Sequence, residues 1–102
     1  MNKVYFISEK LKINYKSLNN KENQELFKKI SQTIEKLEKN PNSGIKIKSK
    51  LWPKEYKVNN LWKIDLSKSW RLIYTIDKNE TIIMSIILDW LSHKEYERKF
   101  KY

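Results

Sequence analysis

Residues 60–102 read NLWKIDLSKSWRLIYTIDKNETIIMSIILDWLSHKEYERKFKY. Trp62, Ile64 and Leu66 alternate with Lys63 and Asp65. After Ser67-Lys68-Ser69, the residues Trp70, Leu72 and Tyr74 alternate with Arg71 and Ile73. Successive side chains of a strand point to opposite faces, so both runs predict strands with one apolar side. A three-residue loop sets Leu66 across from Trp70 and Asp65 across from Arg71. In that register the large apolar residues share a face, as a half-buried sheet requires. Lys63, Asp65 and Arg71 gather on the other face. Asp77-Lys78-Asn79-Glu80 reads as a turn, and Ile82 to Leu88, apolar on both faces, reads as a central strand. Ser92 followed by Glu95 matches a capping box, which predicts a closing helix from His93 to about Lys101.

Upstream, Lys3 to Ile7 is rich in β-branched and aromatic residues and predicts a first strand. Ser8 suits an N-cap, and Leu11, Tyr15 and Leu18 recur at helical spacing up to a break at Asn19-Asn20. A stronger helix follows from about Glu22 to Lys39, with Leu26, Phe27, Ile30, Ile34 and Leu37 on one stripe. Asn40-Pro41 and Gly44 stop it. The pattern predicts two antiparallel helices joined by a short turn. Ile45 and Ile47 alternate with Lys46, Lys48 and Lys50, an extended edge segment with one lysine face. Lysines on an edge discourage pairing with other chains, and they also suit RNA binding. Pro53 makes the stretch around Trp52 a loop.

The chain has 102 residues, enough for a single domain spanning 1–102. With no cysteine and one histidine, neither a disulfide framework nor a thiolate or His-cluster metal site is expected. No apolar run is long enough for a membrane span and the N-terminus lacks a signal peptide's apolar core, so a cytoplasmic location is the expectation. Lys+Arg is 22 against 12 Asp+Glu, a net charge of +10. That excess exceeds what solubility asks of a small domain, and it favours capture of polyanions: nucleic acid, a ribosome or an acidic protein.

The order strand, helix, helix, strand, strand, strand, helix is the order of the RelE/ParE superfamily of toxins. Trp70-Arg71-Leu72-Ile73-Tyr74 resembles that family's Arg-aliphatic-aliphatic-Tyr strand, and His93-Lys94-Glu95-Tyr96 is similar to the His-x-x-Tyr ending of many members. Asn40-Pro41 before Gly44 matches the family's break after its second helix. The resemblance implies an α+β fold: a small antiparallel sheet with two N-terminal helices packed on it. It implies the toxin of a type II toxin–antitoxin system, a metal-independent endoribonuclease that cleaves mRNA, on the ribosome, without a cofactor. The implied partners are a cognate antitoxin, mRNA and the ribosome. Members of the ParE kind instead block DNA gyrase, and a degenerate toxin would keep only binding.

Cleavage needs phosphate charge to be stabilised, one proton removed and one delivered. Arg71 suits the first role because its fork holds two phosphate oxygens, and it is one of two arginines among 22 basic residues. Its structural alternative is an ion pair with Asp65. His93 titrates near neutrality as a residue type and stands at the first position of the predicted helix, whose open N–H groups also attract phosphate. Tyr96 falls where an apolar residue staples against Leu91. The resemblance gives it a second role, stacking on a base or aiding proton transfer. Lys63 matches a basic position of the family nucleases. Asp65 departs from the pattern, which tends to be basic there, and fits as general base or as a partner neutralised by Arg71. Lys46, Lys48 and Lys50 are expected to contact the RNA backbone, and Trp52 to stack on a base.

Overall fold

Ser8 starts the first helix by accepting a hydrogen bond from the Leu11 N–H at 3.1 Å. The computed structural model describes residues 2–100. In chain order the elements are β1 (Asn2–Phe6), α1 (Glu9–Ser17), α2 (Gln24–Lys39), β2 (Ile45–Lys46), β3 (Trp62–Asp65), β4 (Trp70–Lys78), β5 (Ile83–Ser92) and α3 (His93–Phe100). Short 3-10 turns cover Pro41–Ser43 and Ser49–Leu51. The architecture is α+β, as expected. No helix among the described residues is long and apolar enough to cross a membrane.

The five strands lie in the order β1-β5-β4-β3-β2. Asp65 pairs with Arg71 and Ile64 with Leu72, the register that the three-residue loop dictates. The sheet is mixed rather than wholly antiparallel: β1 runs parallel to β5, with Val4 opposite Ser85. β5 therefore has a neighbour on each side, and its apolar residues serve both covered faces of the sheet, Ile87 in one cluster and Leu88 and Leu91 in the other. Between Ile73 and Tyr74 the β4–β5 register slips, and Leu88 is left over on β5. A bulge of this kind inverts the facing of the residues beyond it. Ile87 packs in the core beneath the long helices, while Leu91 packs in the cluster on the opposite face. The bulge places Asp89 and Leu91 on the α3 side of the sheet.

Two apolar clusters result. Ile30 and Leu37 of α2 meet Ile64, Leu66, Leu72, Tyr74 and Ile87 on one face. Tyr15 ties α1 to α2 by stacking on Phe27, ring centres 4.9 Å apart, and by a hydrogen bond with Ser31. On the other face Ile47, Leu61, Ile73 and Leu91 meet Tyr96 and Phe100 of α3. The lysine-faced edge is shorter than the alternation suggested. Strand pairing holds only for Ile45 and Lys46, and the Ser49–Leu51 turn then ends the extended run.

The turn after α2 is locked by the buried Tyr74. Its hydroxyl donates to the Pro41 carbonyl at 2.8 Å and accepts from the Gly44 N–H at 3.0 Å. Burial raises the Tyr74 pKa, against the lowering pull of the Gly44 N–H. A Cβ on Gly44 would stand 2.4 Å from the Lys63 carbonyl oxygen and 2.7 Å from the Tyr74 hydroxyl. Both neighbours are held, one by the sheet and one by its two hydrogen bonds. Gly44→Ala is therefore expected to destabilise by about 1–3 kcal/mol, a fall of roughly 5–20 °C in Tm for a domain of this size. Thermal melts check it. A wild-type Tm would mean that the β2–β3 edge yields freely.

Candidate active site

The β3–β4 hairpin and the start of α3 bring the polar residues together. Ser92 and Glu95 cap α3 reciprocally: the Ser92 N–H donates to Glu95 Oε1 at 3.1 Å, and the Glu95 N–H to Ser92 Oγ at 3.2 Å. The backbone N–H of Ser92, then its side chain, holds the Glu95 carboxyl below the usual carboxylate range. The His93 N–H donates to the Ser69 carbonyl in the β3–β4 loop at 2.8 Å. The Ser92, His93 and Glu95 amides are thus occupied, which leaves fewer N–H groups for phosphate than an open helix start would offer. Anion holding at this site falls mainly to side chains.

Arg71 and His93 meet side by side, Nη1 to Nδ1 at 2.5 Å. A guanidinium only donates, so Nδ1 is the acceptor and the imidazole proton sits on Nε2. That nitrogen donates to Glu97 Oε1 at 2.8 Å. Sequence reasoning missed Glu97, although its i,i+4 spacing from His93 on a helix was the available signal. On the other side of Arg71, Asp65 Oδ1 lies 3.1 Å from Nε. The contact lies off the N–H direction, since Nε is buried without a hydrogen-bond partner. It is an ion pair, and it turns the Asp65 departure into a local neutralisation of Arg71. The order Asp65, Arg71, His93, Glu97 alternates acid, base, imidazole, acid across the surface.

Tyr96 lies under this row, 1% exposed. Phe100 stacks on it, with ring centres 4.4 Å apart. Lys63 Nζ stands 5.0 Å and Arg71 Cζ 4.8 Å from the Tyr96 ring centre. Cations favour an aromatic face, so the ring anchors both positive groups within reach of one anion. The ring is closed to a nucleotide base, and it staples with Leu91 in one cluster. Arg71 keeps 19% and His93 45% of its side-chain surface open to solvent. The five residues Lys63, Asp65, Arg71, His93 and Tyr96 thus converge.

The other expected residues sit apart from them. Lys46, Lys48, Ser49 and Trp52 line a cavity of about 410 Å³, and Lys50 with Trp52 lines a neighbouring one of about 550 Å³. The Trp52 indole N–H donates to the Ile47 carbonyl at 2.9 Å. Among the described residues, no group of three His, Cys, Asp or Glu is placed to hold a metal ion.

This geometry sits on a fold with known relatives. The YoeB/ParE toxin from Agrobacterium tumefaciens superposes with a TM-score of 0.60 over 89% of this chain and 98% of its own, at 14% sequence identity. At that identity the likeness establishes the fold. No curated protein sequence matches the chain. The family model for the ParE toxin of type II toxin–antitoxin systems matches residues 8–89, which takes in Lys63, Asp65 and Arg71 and stops short of His93. A family defined by such systems implies an antitoxin as partner. With the matched span running from α1 through most of β5, the chain belongs to the ParE toxin family of type II toxin–antitoxin systems.

Proposed function

We propose that the chain is a metal-independent endoribonuclease that cleaves mRNA at the ribosome in the cytoplasm and is silenced by its antitoxin. The observation that carries this reading is the Arg71–His93 contact between β4 and α3: a phosphate-binding fork beside the chain's single imidazole. A phosphate oxygen competes for the Arg71 fork and draws it from Nδ1, so substrate binding uncovers the lone pair that cleavage needs. His93 Nδ1 then takes the 2′-OH proton as O2′ attacks phosphorus. The imidazolium that forms is stabilised through Nε2–H by Glu97, as a buried or held carboxylate orients a catalytic histidine elsewhere. Lys63 and Arg71, fixed over Tyr96, stabilise the charge on the phosphoryl oxygens. The P–O5′ bond breaks, and Lys63 gives O5′ its proton. A 2′,3′-cyclic phosphate and a 5′-hydroxyl end are the products.

A second reading, a toxin that binds DNA gyrase without cleaving RNA, is favoured by one observation: the matching family model is that of the ParE toxin and ends before His93. Expression of the chain without its antitoxin separates the two. Growth arrest is expected, with amino-acid incorporation failing before thymidine incorporation and with cut mRNA. DNA synthesis failing first over intact mRNA would assign the gyrase reading.

A further inference from the structure

Trp52 stands between two cavities. Lys46, Lys48, Ser49 and Asn59 line one side. Lys50, Lys54, Arg98 and Lys99 line the other. The indole is held by its bond to the Ile47 carbonyl and by the Trp52 N–H on the Ser49 carbonyl at 3.1 Å, so it offers a fixed surface at little further entropic cost. Lys99 is already engaged by Glu55 at 3.4 Å and Asp89 at 3.9 Å. Among the described residues no carboxylate lies within ion-pair distance of Lys50, Lys54 or Arg98. Arg98 is the second of the chain's two arginines, and the two stand by opposite ends of α3: Arg71 against His93, Arg98 near Phe100. Five residue steps along α3, roughly 7.5 Å of rise and about 140° of turn, put His93 and Arg98 on different sides of the helix.

We propose that this double groove is a binding tract for single-stranded RNA, in which Trp52 stacks on a base while Lys50, Lys54 and Arg98 hold a phosphate. The proposal rests on the reading of the chain as an RNA-directed toxin and adds Lys54 and Arg98, which bulk charge alone does not single out. A polynucleotide uses both features, since every nucleotide supplies a flat base and an anion. An acidic protein segment would use the cations and leave the indole face idle.

The test is equilibrium binding of a labelled, 2′-O-methylated hexauridylate, which cannot be cut, across a salt series. The triple variant K50A/K54A/R98A is expected to bind at least tenfold more weakly. Its salt slope should be smaller by about 0.7, the value for one lost phosphate contact on a single strand. These side chains are on the surface, so the fold should survive the change. Trp52→Leu is expected to cost about fivefold or more with the salt slope kept. Wild-type binding by the triple variant at every salt would overturn the proposal. So would displacement of the RNA by an oligoglutamate of equal charge as readily as by unlabelled RNA, which would assign the groove to an acidic protein. RNA held through the groove by a chain that cuts no RNA would keep the tract and refute the nuclease. Cleavage with groove variants of undiminished affinity would do the reverse.

Discussion

Arg71→Ala is expected to lower RNA cleavage by about 100-fold or more, the usual effect of removing one group that stabilises charge in the transition state. The fold should tolerate it. Asp65, its ion-pair partner, is 65% exposed in its side chain, so water can solvate the carboxylate left behind. Arg71→Lys is the sharper companion: the charge stays and the fork is lost, so much of the defect should remain. The measurement is single-turnover cleavage beside a thermal melt. Undiminished cleavage by Arg71→Ala would remove the residue from the site and leave its role as the cross-strand partner of Asp65.

His93→Gln is expected to lower cleavage by roughly 100- to 10,000-fold with RNA affinity little changed. Glutamine can still accept from Arg71 at one terminal atom and donate to Glu97 through the other, so the row of contacts survives while proton transfer does not. Because His93 is proposed as the base, the wild-type rate should show a limb that rises with pH, and the variant should lose that limb. Glu97→Gln should shift the limb without abolishing it, which a purely structural role for Glu97 would not do. A pH–rate profile for each protein decides. Wild-type cleavage by His93→Gln would pass the proton to Asp65 or Lys63.

Much of this arrangement was legible in the residues. The three-residue loop at Ser67-Lys68-Ser69 fixed the pairing of Asp65 with Arg71, because only one parity hides the tryptophans. Ser92 and Glu95 marked the start of α3, and with it the place of His93. Local pattern could not carry anything set by distant partners. The parallel pairing of β1 with β5 has no turn residue to announce it. The extra Leu88 on β5 leaves no mark in an apolar run, yet it decides that Leu91 packs beneath Tyr96. The burial of Tyr96 is a consequence, so a residue that reads as a ligand for a base proves to be a floor for two cations. Glu97 was hidden by its ordinariness, one carboxylate among 12 acidic residues.

The parallel strand pair also sets a clock. Val4 is made roughly 80 residues before its partner Ser85, several seconds earlier at about 5–20 residues per second. Until then β1 has no sheet to join, and Lys63, Arg71 and His93 have no common floor, since Tyr96 comes later still. On the proposed reading, a nascent chain has no assembled site until Tyr96 has been made. The site can form only once Tyr96 has been made, which leaves a partner already present in the cell the whole of that interval to be waiting.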